Sequence, residues 1–313
     1  MSEVAAATAG RLEGQDQTVR GASIDSRAIS PGQLFVPVVA ERDGHDFIAA
    51  AIYASAAGYL TSRPTAAGAM PPQPPAVTVD DTGAALTALG RYARDRLGTH
   101  VAVIGVTGSV GKTSIKDLLR AVLVADRPTH ASERSFNNEL GVPLTLLNAP
   151  PGTEAAVVEM GARGVGHIRD LCAIAQPTVG IVTRVAAVHT ELFGGLDHVA
   201  QAKGELVEAL PADGVAVLNQ ADPRVADMAA RTDARVVTYG DNGHVHASDI
   251  SLDEELRPSF TLESPWGRTQ VTLRHARGVH MVENALGAAA AALAIDVPLA
   301  TVATALADAP LSP

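Results

Sequence analysis

The pattern of apolar and polar positions changes early in the chain, and the sequences before and after the change predict two domains. Before residue 63 the sequence is mixed and rich in turn residues, with only short apolar stretches. The proline-rich segment 64–75 cannot form a helix and is predicted to be a loop, followed by a strand at 76–79. We therefore predict a small mixed α/β N-terminal domain over residues 1–80 and a larger domain over residues 81–313.

Within the larger domain, short apolar strands alternate with amphipathic helices. Strands are predicted at 101–106, 155–158, 179–182, 215–218 and 236–239. Helices are predicted at 84–97, through 115–123, and near 165–175, 197–210 and 222–231. This alternation predicts right-handed crossovers and a mostly parallel sheet that is covered on both faces. A hairpin at about 258–263 and 268–274 and two helices at about 281–294 and 299–308 complete the prediction.

A glycine-rich turn, Thr107-Gly-Ser-Val-Gly-Lys-Thr113, lies between a predicted strand and a predicted helix; we call it the glycine loop. Such a turn presents backbone N–H groups and a helix N-terminus to phosphate, while a lysine neutralises the outer phosphates. Gly108, Gly111 and Lys112 fit this geometry, and Thr113 would place a hydroxyl on Mg²⁺. The order of strand, loop and helix favours a nucleoside-triphosphate site and a P-loop NTPase-like central domain over a purely structural turn.

Four other residues each allow two interpretations. Glu159 follows a strand directly, so it either holds Mg²⁺ at the carboxyl edge of the sheet or pairs with a surface cation. His189 and Lys203, taken alone, are more often structural or solvated than catalytic. Asn284, near the start of a helix, fits a residue that satisfies local backbone groups. The residues by themselves leave these alternatives open.

Composition excludes several classes of protein. The chain has 24 Lys and Arg against 34 Asp and Glu, a net charge of −10 without a basic run, which argues against nucleic acid as a partner. The single cysteine, Cys172, excludes a disulfide framework and fits a reducing compartment. The first residues do not resemble a secretory signal, and no stretch approaches the roughly 18 apolar residues of a membrane helix. These features predict a cytoplasmic protein.

The motifs together resemble those of the Mur ligases, which lengthen the peptide of the peptidoglycan precursor. The glycine loop reads TGxxGKT, as the loop of that family does. Three phrases resemble the family's first domain, which holds the uridine nucleotide of the substrate: Ile24-Asp-Ser-Arg27, Pro31-Gly-Gln-Leu-Phe-Val36 and Asp43-Gly-His-Asp-Phe47. Others are most similar to the family member that adds D-alanyl-D-alanine: Asn137-Asn-Glu-Leu-Gly-Val-Pro143, Glu159-Met-Gly-Ala162, Gly166-His-Ile168, Val188-His189 and Ala202-Lys-Gly-Glu205.

The resemblance assigns roles to individual residues. It implies that ATP is bound by Thr107, Gly108, Ser109, Val110, Gly111, Lys112, Thr113 and Ser114, with Asn284 at the adenine. It implies one Mg²⁺ on Thr113 and Glu159, and a second on His189 supported by Lys203 as a carbamylated lysine. Lys112, His189 and Lys203 would act in catalysis, and the precursor would contact Ser26, Arg27, Asn137 and Asn138.

The chain departs from the family pattern in sequence and in length. Val110, Ser135 and Arg184 stand where asparagine is usual, and Arg184 is expected to add a cation near the proposed metals. Members of the family carry a third, Rossmann-like domain that begins where this chain stops, at Pro313. That domain helps to bind ATP and closes over the site, so we expect nucleotide binding here with ligation impaired or absent.

The resemblance therefore implies an ATP-dependent ligase. It would add D-alanyl-D-alanine to UDP-N-acetylmuramoyl-tripeptide through an acyl phosphate, as a monomer that uses ATP and two Mg²⁺ ions. Two other functions stay open. Asn219-Gln-Ala-Asp222 weakly resembles the Asn-Lys-x-Asp motif that recognises guanine, which would suit a GTPase or another phosphotransferase. A paralogue or subunit that binds the muramoyl peptide and nucleotide without catalysis is the second alternative.

Overall fold

The first compact unit is built around a small mixed sheet. The computed structural model describes residues 1–63, 74–133, 136–187 and 195–312. The helices of the first unit are α1 (Ser2–Thr8), α2 (Ile48–Tyr53), α3 (Thr82–Leu97) and α5 (Gly141–Leu147), with a 3-10 turn at Gly44–Phe47. Its strands are β1 (Arg11–Glu13), β2 (Ala22–Ser23), β3 (Leu34–Phe35), β4 (Gly58–Thr61) and β5 (Ala76–Thr78). They lie in the order β1-β5-β4-β3-β2, with β1 antiparallel and the others parallel.

The second compact unit contains a six-stranded parallel sheet and a three-stranded antiparallel sheet. Its helices are α4 (Lys112–Val124), α6 (His167–Ala175), α7 (Leu196–Glu208), α8 (Pro223–Ala226), α9 (His280–Ala294) and α10 (Leu299–Ala307), with a 3-10 turn at Asp227–Arg231. The strands of the parallel sheet are β6 (Ala102–Thr107), β7 (Thr129–Ala131), β8 (Ala155–Glu159), β9 (Val179–Val182), β10 (Val215–Asn219) and β11 (Arg235–Tyr239). The antiparallel strands are β12 (His246–Leu252), β13 (Pro258–Ser264) and β14 (Gly267–Thr272).

The parallel sheet has the strand order β11-β10-β9-β6-β8-β7, which confirms the predicted α/β class. Strand β6 pairs with β9 on one side and with β8 on the other, so the direction of winding changes at β6. In open parallel sheets, ligands bind beyond the carboxyl ends of the strands at such a switch point. The glycine loop begins at Thr107, the last residue of β6.

Helices α4 and α9 approach each other closely on one face of this sheet. The alanine-rich stretch Ala285–Ala294 of α9 is buried, because its small side chains let the helix pack tightly. A methyl group added at Gly287 would lie 3.0 Å from Ile115 of α4 and 3.0 Å from the Tyr239 ring. This close packing brings the first turn of α9 beside the start of α4. Among the described residues, no helix has the length and apolar content required to cross a membrane.

The two units divide the chain differently from the predicted division at residue 80. The first consists of Met1–Gly98 with Glu139–Ala149, and the second of Thr99–Asn138 with Pro150–Pro313. Helix α3 belongs to the first unit because it packs against α1 and α5. Asn148, just after α5, also bonds β2 there, since its Nδ2 donates to the Ala22 carbonyl at 2.9 Å. The functional division into a substrate domain and an ATP domain stays a prediction.

Candidate nucleotide-binding site

The backbone of the glycine loop adopts a conformation that would be strained for any residue other than glycine. Gly108 has φ 142° and Gly111 has φ 85°, both in the left-handed region. A Cβ at Gly108 would lie 1.9 Å from Thr183 Oγ1, which is too close for any side chain. The Thr107 hydroxyl donates to the Met160 carbonyl at 2.8 Å and anchors the start of the loop inside the protein. The two glycines are therefore required by the turn itself.

Lys112 begins helix α4 and folds back over the loop. Its Nζ donates to the carbonyls of Gly108 at 2.9 Å and of Ser109 at 3.3 Å. Burial lowers the pKa of this lysine, while the charge of Glu159 acts in the opposite direction. The ammonium is thus held at the loop, with one carboxylate close enough to influence its titration. Ser114 follows in the first turn of the helix and is partly exposed.

The residues that follow strand β9 hold the loop from the other side. The Ser109 amide donates to the Arg184 carbonyl at 2.7 Å, and the Ser109 hydroxyl donates to the Ala186 carbonyl at 3.1 Å. The Thr183 hydroxyl donates to the Val110 carbonyl at 2.5 Å. Because Val110 is held through its backbone and its side chain is 46% exposed, the change from asparagine does not disturb these contacts.

Glu159 connects the loop to a neighbouring strand end. This residue is 1% exposed at the end of β8, and its carboxylate accepts hydrogen bonds from two side chains. Thr113 Oγ1 donates to Oε2 at 3.1 Å, and Asn137 Nδ2 donates to Oε1 at 2.9 Å. Asn138 follows Asn137 in the chain and is partly exposed. Thr113, Glu159 and Asn137 therefore meet at the carboxyl edge of the sheet.

The oxygen atoms of Thr113 and Glu159 fit a small divalent cation. Mg²⁺ binds through one or two protein oxygens together with phosphate and water. Within the described ranges, no group of three or more His, Cys, Asp or Glu side chains has metal-binding geometry. The proposed Mg²⁺ site does not require such a group, because it consists of one hydroxyl and one carboxylate. His189, predicted to hold a second ion, lies outside the described residues.

Lys203 is a buried lysine on helix α7, with 4% of its surface exposed. Burial and, to a smaller extent, the positive charge of Lys112 lower its pKa to about 8, against the opposing effect of Glu205. Glu205 has a structural role, because its carboxylate accepts the amides of Gly166 at 2.5 Å and Arg169 at 3.0 Å at the start of α6. A lysine with this pKa is neutral in a much larger fraction of molecules near pH 8 than an ordinary lysine is.

Asn284 lies in the first turn of α9, close to the glycine loop. A Cβ at Gly111 would lie 2.7 Å from Asn284 Oδ1, so the two residues are direct neighbours. The side chain of Asn284 also approaches Met281, with 3.6 Å from Nδ2 to Sδ. The helix-end interpretation from spacing alone missed this proximity, because the close packing of α9 on α4 is a tertiary feature.

A cluster that the sequence reasoning missed lies next to Asn284. The guanidinium of Arg184 forms a two-pronged ion pair with Glu283, with 2.7 Å from Nε to Oε1. Asn219 Nδ2 donates to the same carboxylate at 2.5 Å, and Asp222 accepts the Val185 amide at 2.8 Å. Arg184 was expected to add a cation near the metals, and in the structure Glu283 pairs with that cation. Asn219 and Asp222, the residues of the faint guanine motif, are used in internal hydrogen bonds.

The predicted precursor contacts Ser26 and Arg27 belong to the first unit. They lie in a turn after β2, where Arg27 pairs with Asp25 at 2.7 Å. Hydrogen bonds from Arg27 hold the pKa of Asp25 at about 2. The side chain of Arg27 is 88% exposed and available to a ligand. No contact in the described structure assigns a ligand to this turn.

Comparison with known proteins identifies relatives over most of the chain. A family model described as the Mur ligase middle domain matches residues 106–292. The UDP-N-acetylmuramoyl-tripeptide–D-alanyl-D-alanine ligase of Mycobacterium tuberculosis (strain ATCC 25618 / H37Rv) is 44% identical over 304 residues, covering 91% of this chain and 59% of that protein. The chain therefore spans about three fifths of the length of this curated relative.

Two solved structures show the same architecture. MurF from Acinetobacter baumannii superposes with a TM-score of 0.88 at 32% identity, over 99% of this chain and 67% of that one. MurF ligase from Thermotoga maritima, solved in complex with ADP, has a TM-score of 0.76 at 27% identity, over 93% of this chain and 67% of that one. The relatives thus share both units of this chain.

Proposed function

Because the chain belongs to the Mur ligase family, we propose that it provides the ATP-binding and precursor-binding part of a D-alanyl-D-alanine-adding ligase. The reaction would join D-alanyl-D-alanine to UDP-N-acetylmuramoyl-tripeptide during peptidoglycan precursor synthesis, with ATP converted to ADP and phosphate. The observation that carries this proposal is the glycine loop, which places Lys112 and the Thr113–Glu159 pair together at the switch point of the sheet.

The chemistry requires activation because a carboxylate is anionic and has a poor leaving group. The terminal carboxylate of the tripeptide would attack the γ-phosphorus of ATP, forming an acyl phosphate and releasing ADP. The amine of D-alanyl-D-alanine would then attack the acyl carbon, lose a proton and expel phosphate. In the first step, the Lys112 ammonium and the loop amides would stabilise the charge on the transferring phosphoryl group.

Thr113 and Glu159 would supply oxygen ligands for Mg²⁺, and the bound ion would neutralise phosphate oxygens that otherwise repel the attacking carboxylate. We propose that His189 would hold a second ion, and that Lys203, as a carbamylated lysine, would support it. The low pKa of Lys203, about 8, supports this role because the neutral amine is the form that reacts with carbon dioxide. The nitrogen lone pair forms the N–C bond, and the nitrogen then loses a proton to give the carbamate.

Other parts of the proposal rest on the resemblance alone. We propose Asn284 for the adenine, and Ser26, Arg27, Asn137 and Asn138 for the precursor. The cytoplasmic location and the monomeric state stay predictions. A GTPase has no structural support, because Asn219 is fully buried and bonded to Glu283, so it is not free to recognise a guanine base.

Isothermal titration of the chain with ATP and with UDP-N-acetylmuramoyl-tripeptide tests the binding part of the proposal. Lys112→Ala should weaken ATP binding by about a hundredfold or more, since a charge-assisted contact to phosphate is lost, and leave precursor binding unchanged. The control is Arg120→Ala, which removes an exposed cation from the same helix. Unchanged ATP affinity in Lys112→Ala would contradict the loop assignment, and tighter binding of GTP without precursor binding would contradict the ligase.

Release of ADP in the presence of precursor and D-alanyl-D-alanine tests catalysis. The assay compares the chain alone with the chain joined to the remaining C-terminal part of the Mycobacterium tuberculosis relative. Turnover that depends on D-alanyl-D-alanine in either protein supports the ligase. Binding of both ligands without turnover in either protein would instead identify a non-catalytic binding protein and overturn the proposed reaction.

A further inference from the structure

One ion pair joins the two segments between which the glycine loop lies. Arg184 belongs to the segment 183–186, which follows β9 and bonds the loop through Ser109 and Val110. Glu283 belongs to the first turn of α9 and precedes Asn284. The pair spans 99 positions of sequence and uses both nitrogens of one edge of the guanidinium. Such a two-pronged pair fixes orientation as well as distance.

The first turn of α9 packs into the core through the buried side chains of Met281 and Val282, but it has no side-chain cap. Its N-cap residue is Val279, which provides no side-chain capping bond and is 56% exposed. Glu283 adds directional polar contacts to this packing, through Arg184 and through the fully buried amide of Asn219. We call the side chains of Arg184, Glu283 and Asn219 the clamp. The loop side is different, because its bonds to residues 183–186 involve the backbone and hydroxyl groups of Thr183 and Ser109 and do not use the Arg184 side chain.

We propose that the clamp is a positioning device for nucleotide binding, and that Arg184 sets the affinity for ATP by holding the first turn of α9 against the loop. The inference rests on the proposed function, in which the loop takes the phosphates and Asn284 the adenine. Asn284 Oδ1 lies 2.7 Å from where a Cβ of Gly111 would be, so a small rotation of this turn changes the distance between the two parts of the site. A ligand that spans both parts depends on that distance.

This geometry predicts which ligands respond to a broken clamp. ATP would contact both the loop and α9, whereas inorganic tripolyphosphate would contact the loop alone. Arg184→Ala should therefore weaken ATP binding by about tenfold and leave tripolyphosphate binding unchanged. Glu283→Gln should weaken ATP similarly, because it removes the ion pair but keeps a carbonyl acceptor for Asn219. The double variant should be no weaker than either single variant, since each removes the same interaction.

Calorimetric titration with ATP and with tripolyphosphate, at matched ionic strength, measures these affinities. The control is Arg11→Ala, which breaks an exposed 2.6 Å pair with Glu13 in the first unit and should change neither affinity. Arg184→Lys should recover part of the loss because it keeps the charge but not the two-pronged geometry. Circular dichroism melting of each variant separates a loss of fold from a loss of positioning.

Two results would overturn the inference. One is full ATP affinity in both Arg184→Ala and Glu283→Gln. The other is an equal loss of ATP and tripolyphosphate affinity, which would mean that the pair only supports the loop. A different result would contradict the proposed function itself: the Lys112→Ala variant would then bind ATP as tightly as the unsubstituted chain. Loss of binding in Lys112→Ala with full binding in Arg184→Ala rejects the clamp and retains the nucleotide site.

Discussion

The candidate residues of the two compact units differ in burial and in the hydrogen bonds that they make within the protein. In the second unit, Lys112 and Glu159 are held by hydrogen bonds within the protein, and Lys203 is buried. In the first unit, Ser26 and Arg27 lie on a turn, and Arg27 pairs only with its near neighbour Asp25 among the described side chains. Substitutions in the second unit should therefore change stability and ligand binding together. Substitutions in the first unit should change binding alone.

The largest combined effect is expected from Gly108→Ala. The methyl group would meet Thr183 Oγ1 at 1.9 Å, and φ 142° is itself unfavourable for alanine. Together these should reduce the free energy of unfolding by about 4 kcal/mol and abolish ATP binding. Denaturant unfolding and ATP titration measure the two effects. Gly152→Ala is the control, because φ there is also positive, at 83°, but nothing lies within 4 Å. It should cost about 1 kcal/mol, and equal losses in both variants would show that the contact with Thr183 has no effect.

A second large effect concerns the pH dependence of stability at Lys203. Its pKa falls from an ordinary value of 10.5 to about 8 in the folded protein. The unfolded chain therefore binds more protons between about pH 8 and 10.5, so this lysine makes stability rise with pH across that window. Below pH 8 the folded protein carries the full penalty of a buried charge. Lys203→Met should raise the free energy of unfolding at pH 7 by about 3 kcal/mol and remove the rise.

Urea unfolding at several pH values in buffer free of carbon dioxide measures this effect without interference from carbamylation. Gln201→Met is the matched control, since residue 201 is exposed on the same helix and should leave the pH dependence intact. An unchanged slope between pH 8 and 10.5 in Lys203→Met would show that Lys203 is not the responsible group. The buried lysine would also illustrate how a group used in chemistry lowers the stability of the second unit.

The same contrast explains which features of the fold were predictable. The four central strands of the parallel sheet, β10, β9, β6 and β8, are buried on both faces and alternate with helices, so continuous apolar runs identified them. Strand β12 was missed because it is polar and largely exposed and has no period of two. Strand β7 is only three residues long, too short for a pattern. Both lie at an edge of their sheet, where neither face need be apolar.

Site residues that are close together in the sequence could be predicted, whereas pairs that are far apart in the sequence could not. The glycine loop is a local arrangement of strand, turn and helix, so consecutive residues were enough to identify it. Arg184 and Glu283 meet only because α9 packs on α4, and spacing contains no information about a pair 99 residues apart. The role of Arg27 has no local signal of either kind. It came from resemblance to the Mur ligases, so only a binding experiment can support it.

The smallest effect on stability, and the sharpest test of the contrast, is therefore Arg27→Ala. Its side chain is 88% exposed, so the midpoint of thermal unfolding should not move measurably. Titration with UDP-N-acetylmuramoyl-tripeptide should nevertheless show about tenfold weaker binding, because a charge-assisted contact to the ligand is lost. Arg11→Ala removes a similarly exposed arginine, paired with Glu13, from the same unit and should leave the affinity unchanged. Equal affinities in the two variants would show that Arg27 does not contact the precursor. A fall in the unfolding midpoint of Arg27→Ala would show that the Arg27 side chain contributes to the stability of the first unit.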